Sequence, residues 1–194
     1  MPDEPIPPAR LVKMAVLSLF GWVTVIVTTI FFGTLAVFTP WFDKTGNLGH
    51  AVCARWWARS ILAMVGVRVR VSGLEHLDPK QAYVVTANHL SNFDILAILA
   101  WLPLQFRWIA KKEVFKVPFM GWGMTRVGYV KIDRENPEQA WAHLFEAESK
   151  LKEGISLMFF PEGTRSPDGE IKRFKSGAFV LSVRTGVPVL PLTV

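Results

Sequence analysis

The chain has 194 residues, about half of them hydrophobic, with eight Trp, fourteen Phe, a single Cys and a formal net charge of +6. That length supports one domain with a substantial core, and the apolar fraction is low for a multi-span membrane protein. Cys53 alone excludes an internal disulfide and a cysteine-rich metal site, while the positive charge favours anionic partners: lipid headgroups, phosphorylated substrates or nucleic acid. The aromatic content points to contact with lipid or large apolar ligands.

Met14 to Phe38 carries no charged residue. As a helix it is about 38 Å long against a hydrocarbon core of roughly 30 Å, enough for a tilted span. It exceeds the apolar core of a signal peptide. Pro40 ends it, and Asp43 to Gly49 reads as a turn. Gly49 to Val67 reads as a second helix, with Trp56, Trp57, Ile61, Leu62 and Val65 as its apolar content. Arg55 and Arg59, four apart, are expected on its polar face, at the headgroup level of a membrane. Residues 1–66 are therefore expected to form an N-terminal apolar helix or two-helix membrane anchor, spanning or lying in one leaflet. Basic residues are more numerous after the first helix than before it, which places the body on the cytoplasmic side, at the inner membrane if the cell is bacterial.

From Val67 onward the pattern changes. Val67 to Ser72 alternates strictly and predicts a half-exposed strand. Further strands are expected over Ala82–Ala87, Phe106–Ala110, Val127–Ile132, Ile155–Phe160 and Val187–Val194. A helix-like run from Ile95 to Trp101 follows the second strand. The clearest helix starts at Asn136, a good N-cap, with Pro137 at N1 and Glu138 and Gln139 in its first turn. It stops at Gly154. A shorter helix covers Ser176 to Arg184. The alternation predicts an α/β domain over residues 67–194, with a mostly parallel mixed sheet covered by helices. The last run leaves the chain inside an apolar strand, and the domain is expected to continue beyond it.

Two turns carry polar chemistry. Asn88-His89-Leu90-Ser91-Asn92-Phe93-Asp94 lies between a strand and a helix. Ser91-x-x-Asp94 reads as a capping box. The same Asp94, brought back by a bend, also reads as the orienting partner of His89 acting as a general base. Phe160-Pro161-Glu162-Gly163-Thr164-Arg165-Ser166 follows another strand. Its Pro161 and Gly163 fix an unusual path, and Arg165, Thr164 and Ser166 offer donors suited to phosphate. An ordinary surface loop has the same residues. Arg134, at the end of the Val127–Ile132 run, lies where ligands of open α/β sheets bind, or in a solvated turn. The dinucleotide, phosphate-loop and nucleophile-elbow patterns are absent from the sequence. His50, His76, His89 and His143 lack metal-ligand spacing, and the basic residues form no nucleic-acid recognition signature.

Taken in order, Asn88-His89-x4-Asp94, Ile132-Asp133-Arg134, Phe160-Pro161-Glu162-Gly163-Thr164-Arg165-Ser166 and Val187-Pro188-Val189-Leu190-Pro191 resemble the four motifs of the glycerolipid acyltransferases. Ala110-Lys111-Lys112-Glu113 resembles the basic stretch between the first two. The resemblance covers the body from about Val67 onward, and implies transfer of a fatty acyl group from an acyl thioester to the free hydroxyl of a lysophospholipid at a membrane. The leading acceptor is 1-acyl-glycerol-3-phosphate (lysophosphatidic acid), giving phosphatidic acid; glycerol-3-phosphate and other lysolipids are alternatives. A silent lipid-binding protein is the alternative outside enzymes. The implied donor is acyl-CoA or acyl carrier protein, with no cofactor, no metal and no nucleic acid. His89 is implied as general base, held by Asp94. Arg134, Glu162, Gly163, Thr164 and Arg165 are implied around the acceptor, with Lys111 as a further phosphate or oxyanion contact.

Overall fold

A computed structural model describes residues 7–133 and 136–194. Helix α1 spans Pro8–Phe38 and is the one helix among the described residues long and apolar enough to cross a membrane. Only 6% of its most apolar 18-residue window is buried. Pro40 ends it in a 3₁₀ turn over Thr39–Trp41, since proline cannot donate to the helical ladder. The turn that follows is built by Asp43. Its carboxylate accepts from Thr45 N (2.8 Å), Thr45 Oγ1 (2.6 Å) and Leu48 N (2.7 Å).

The expected second helix begins as a π-helical stretch, Gly49–Ala54, and becomes α2 at Arg55–Met64. Ala58, Ile61 and Leu62 of α2 are buried in the same core as the sheet. Arg55 and Arg59 do not face outward toward headgroups. Arg55 Nη2 donates to Leu102 O (2.8 Å) and Leu104 O (2.7 Å), and Arg59 Nε to Ala100 O (3.0 Å). They serve carbonyls at the end of helix α3 (Asn92–Trp101), which lack intrahelical partners there, and one in the segment just after it.

Among the described residues five strands follow: β1 Val84–Ala87, β2 Phe106–Lys111, β3 Val130–Ile132, β4 Ser156–Phe159 and β5 Val189–Leu192. Their order is β3-β2-β4-β1-β5, and all four pairings are parallel, in keeping with the mostly parallel sheet expected. The predicted strand at Val67–Ser72 is absent: the segment has no strand pairing and its side chains, Val69 apart, are exposed. Alternation says a strand would have one apolar face, but supplies no neighbour for its backbone. The Val127–Ile132 run is shorter than expected because Val127 closes an unforeseen helix, α4 (Met120–Val127), ahead of Gly128 at φ 82°.

Strand alternation divides the core into two layers. Val85, Ala87, Phe106, Trp108 and Met158 pack with α2 and α3. Val84, Ile109, Leu157 and Phe159 pack on the other face with α5 (Pro137–Lys152) and α6 (Gly177–Thr185). As expected, Asn136 caps α5, accepting from Gln139 N at 3.2 Å. The helix α1 crosses α4 where Gly33 and Gly123 meet. A Cβ on Gly33 would lie 2.6 Å from Phe119 O, so only glycine allows the two backbones to approach this closely.

Candidate active site

Strands β1 and β4 are neighbours, yet the chain leaves them in opposite directions: β1 through α3 to β2, β4 through α6 to β5. Those helices lie on opposite faces of the sheet. A crevice opens at such a switch point, beyond the carboxyl ends of the strands. The register that pairs Thr86 with Phe159 carries His89 to the level of Glu162, which brings the two polar turns together.

Asp94 is buried in the first turn of α3. Its Oδ2 accepts from His89 Nδ1 (3.0 Å), Leu90 N (2.7 Å) and Ser91 N (2.8 Å). Ser91 Oγ in turn accepts from Phe93 N at 3.2 Å. The capping box and the His–Asp pair therefore coexist, because one carboxylate oxygen has lone pairs for several donors. With Nδ1 donating to Asp94, Nε2 is the nitrogen left to accept a proton. The imidazole lies flat on Phe160, with ring centroids 3.8 Å apart and planes at 9°, and Phe160 stacks on Trp108. The ring is thus fixed by a carboxylate at its edge and an aromatic face beneath it.

The second turn holds the backbone of His89 from both sides. His89 N donates to Glu162 Oε1 (2.8 Å), and His89 O accepts from Ser166 N (2.8 Å). The other oxygen of Glu162 accepts from Lys172 N at 3.0 Å. Glu162 is buried, and both of its carboxylate oxygens accept from backbone amides, tying the loop to His89. Gly163 sits at φ 75°, a conformation that favours glycine, and the end of the Lys175 side chain lies over it, 3.0 Å from where a Cβ would stand. Thr164 and Arg165 are exposed beyond the turn, and Arg165 O accepts from Lys172 Nζ at 3.3 Å.

Lys111 ends β2 with its amine half-exposed, 3.5 Å from Glu113. Arg134 lies outside the described residues. Its neighbour Asp133 is buried and pairs with Lys112 Nζ at 2.6 Å. The structure thus joins His89, Asp94, Glu162 and Gly163 closely and leaves Thr164, Arg165 and Lys111 at more open positions. Two contributors were not foreseen. Phe160 is the shelf under His89, and Lys175 closes over Gly163. The basic run Lys172-Arg173-Phe174-Lys175 was the signal for the second; nothing in the sequence pairs Phe160 with His89.

Comparison with known proteins agrees with this geometry. A family model described as Acyltransferase matches residues 68–194. A chloroplastic 1-acyl-sn-glycerol-3-phosphate acyltransferase of Brassica napus is 36% identical over 176 residues, covering 90% of this chain and 51% of its own length. The human 1-acyl-sn-glycerol-3-phosphate acyltransferase alpha is 33% identical over 175 residues, covering 84% of this chain and 62% of its own. The crystal structure of the 1-acyl-sn-glycerophosphate (LPA) acyltransferase PlsC from Thermotoga maritima superposes with a TM-score of 0.77 at 30% identity, over 94% of this chain and 74% of that one. The chain spans about half the length of the plant relative and less than two thirds of the human one. By its motifs, its parallel sheet and its match over the whole α/β body, the chain belongs to the acyltransferase family.

Proposed function

We propose that the chain transfers a fatty acyl group from an acyl thioester to the free hydroxyl of 1-acyl-glycerol-3-phosphate, giving phosphatidic acid and a free thiol. The observation that carries this reading is the His89–Asp94 pair, 3.0 Å apart, at the mouth of the crevice between β1 and β4. The names of the relatives support the choice of acceptor.

His89 Nε2 takes the proton of the acceptor hydroxyl as its oxygen attacks the thioester carbonyl. Asp94 stabilises the imidazolium that forms, and fixes the tautomer that leaves Nε2 free. The tetrahedral intermediate then collapses, the C–S bond breaks, and the imidazolium returns its proton to the departing thiolate. No enzyme nucleophile enters, so no acyl-enzyme forms. Arg165, Thr164 and Arg134 serve the acceptor phosphate, and Lys111 serves the phosphate or the oxyanion. The donor is acyl-CoA or acyl carrier protein. The apolar outer face of α1, with Trp22 68% exposed, seats the enzyme in the bilayer, and the body faces the cytoplasm. Leu90 and Phe93, exposed in the turn that carries His89, offer an apolar surface to the chain of a lysolipid at the crevice.

The test follows thiol release from acyl-CoA, and separately from acylated carrier protein, with lysophosphatidic acid in mixed micelles. The His89→Ala enzyme is expected to lose roughly 10²–10⁴-fold in kcat while keeping the wild-type melting temperature and vesicle binding. Near-normal transfer by that variant would remove His89 from the mechanism.

A further inference from the structure

A second concavity lies apart from the His89 crevice, along the open edge of the sheet. It is a cavity of about 760 Å³ between α4, the edge strand β3 and α5. Among the described residues Lys112, Lys116, Lys131 and Lys150 line it, with His143 and one carboxylate, Asp133. Asp133 is paired with Lys112, so among the described residues the charge left in the cavity is that of Lys116, Lys131 and Lys150. None of these three has a carboxylate at ion-pair distance among the described residues. Lys150 reaches it from α5 by extending across Gly128, whose missing side chain leaves the amine 3.3 Å from where a Cβ would stand.

A lysine on an edge strand blocks pairing with other chains, and Lys131 alone does that. Edge protection does not account for amines brought to the same cavity from the segment before α4 and from α5. Three unpaired amines facing one concave space repel one another unless an anion joins them. The volume lies in the range of small-molecule sites, and a concave site suits a small polyanion better than the convex surface of an acidic protein.

We infer that this edge cavity binds the phosphorylated nucleotide of an acyl-CoA donor, with Lys116, Lys131 and Lys150 on its phosphates; this rests on the acyl-thioester reading above. The reach is consistent. β3 is three strands from β1, roughly 14 Å at the usual strand spacing. The pantetheine arm, about thirteen bonds from sulfur to phosphorus, is equivalent to about four extended residues, also roughly 14 Å. That span fits a phosphate at Lys131, which the register sets level with Ala87; Lys150, at Gly128, is level with Val84, roughly 16 Å behind His89 along the strands, and takes a phosphate at the far end of the nucleotide.

The experiment compares three donors with the same acyl chain: acyl-CoA, acyl-pantetheine without the nucleotide, and acylated carrier protein. In the wild-type enzyme kcat/KM is expected to favour acyl-CoA over acyl-pantetheine. In the triple variant Lys116→Gln, Lys131→Gln, Lys150→Gln that preference falls by roughly 10- to 100-fold, the loss of two or three charge-assisted contacts. Adenosine 3′,5′-bisphosphate, measured by calorimetry, binds the wild type and not the variant. A preference unchanged in the variant, or bisphosphate binding that survives it, overturns the assignment. So does a wild-type enzyme that prefers carrier protein and loses that preference in the variant, since the cavity would then serve an acidic protein. Bisphosphate binding without transfer from any donor would sink the proposed reaction instead and leave the anion site standing.

Discussion

At the scale of single residues, Asp94 Oδ2 holds the start of α3 and the imidazole of His89 at once. Its two tasks need different things. The amides of Leu90 and Ser91 require an acceptor oxygen, and a neutral carbonyl supplies one. An imidazolium formed during the reaction requires the negative charge. Asp94→Asn separates them, since asparagine keeps an acceptor oxygen and loses the charge. The expected result is a kcat lower by roughly 10²–10⁴-fold, with a stability cost of only about 1 kcal/mol. Activity within about two-fold of wild type, in an equally stable variant, would reduce Asp94 to a helix cap. Both tasks were legible in the sequence, because Ser91-x-x-Asp94 and His89-x4-Asp94 are local patterns. Glu162 was not legible in the same way. Its partners are backbone amides of His89 and Lys172, and a carboxylate used by the backbone has the same letter as one offered to a substrate.

At the scale of elements, the readable features were again those whose cause lies within one window. The Asn136 cap, the stop at Pro40 and the apolar strands β1 and β4 depend on neighbours in sequence, and each was anticipated. Val67–Ser72 has the pattern of a strand and no strand to pair with. The arginines of α2 have the spacing of a headgroup-facing stripe, but their partners are set by where α3 ends in space. Arg55 is predicted to matter for stability accordingly. Its Nη2 serves both Leu102 O and Leu104 O, and hydrogen bonds from a charged donor contribute about 1.5–3 kcal/mol each. Arg55→Met keeps most of the aliphatic packing and removes the donor. Denaturant unfolding in micelles should show a loss of about 2 kcal/mol, with kcat per folded molecule retained. A variant as stable as wild type would mean that water serves both carbonyls equally well.

At the scale of the whole molecule, the N-terminal helices and the sheet meet through a buried polar junction. Arg107, second in β2 and fully buried, donates from Nη2 to Thr45 O (3.0 Å) and Asn47 Oδ1 (2.8 Å), so the turn after α1 is tied to the sheet. His50, also fully buried, places Nδ1 3.1 Å from Tyr129 Oη and its ring edge-on to Phe106. Burial, and then the charges of Arg107 and Arg55, hold the His50 imidazole well below the usual histidine range. The ring is therefore neutral in the folded protein where the unfolded chain binds a proton. The unfolded state takes up more protons below pH 6.5, so stability rises with pH, is fully present above that value, and is lost as pH falls below it. One proton corresponds to a slope of about 1.4 kcal/mol per pH unit. Unfolding free energies measured in micelles from pH 8 to pH 5 should bend downward near 6.5 in the wild type. In His50→Gln, which keeps a polar partner for Tyr129 without a titrating ring, that limb should flatten by the contribution of one proton. The same bend in both proteins would mean that the acid sensitivity arises elsewhere and that His50 is solvated enough to titrate normally.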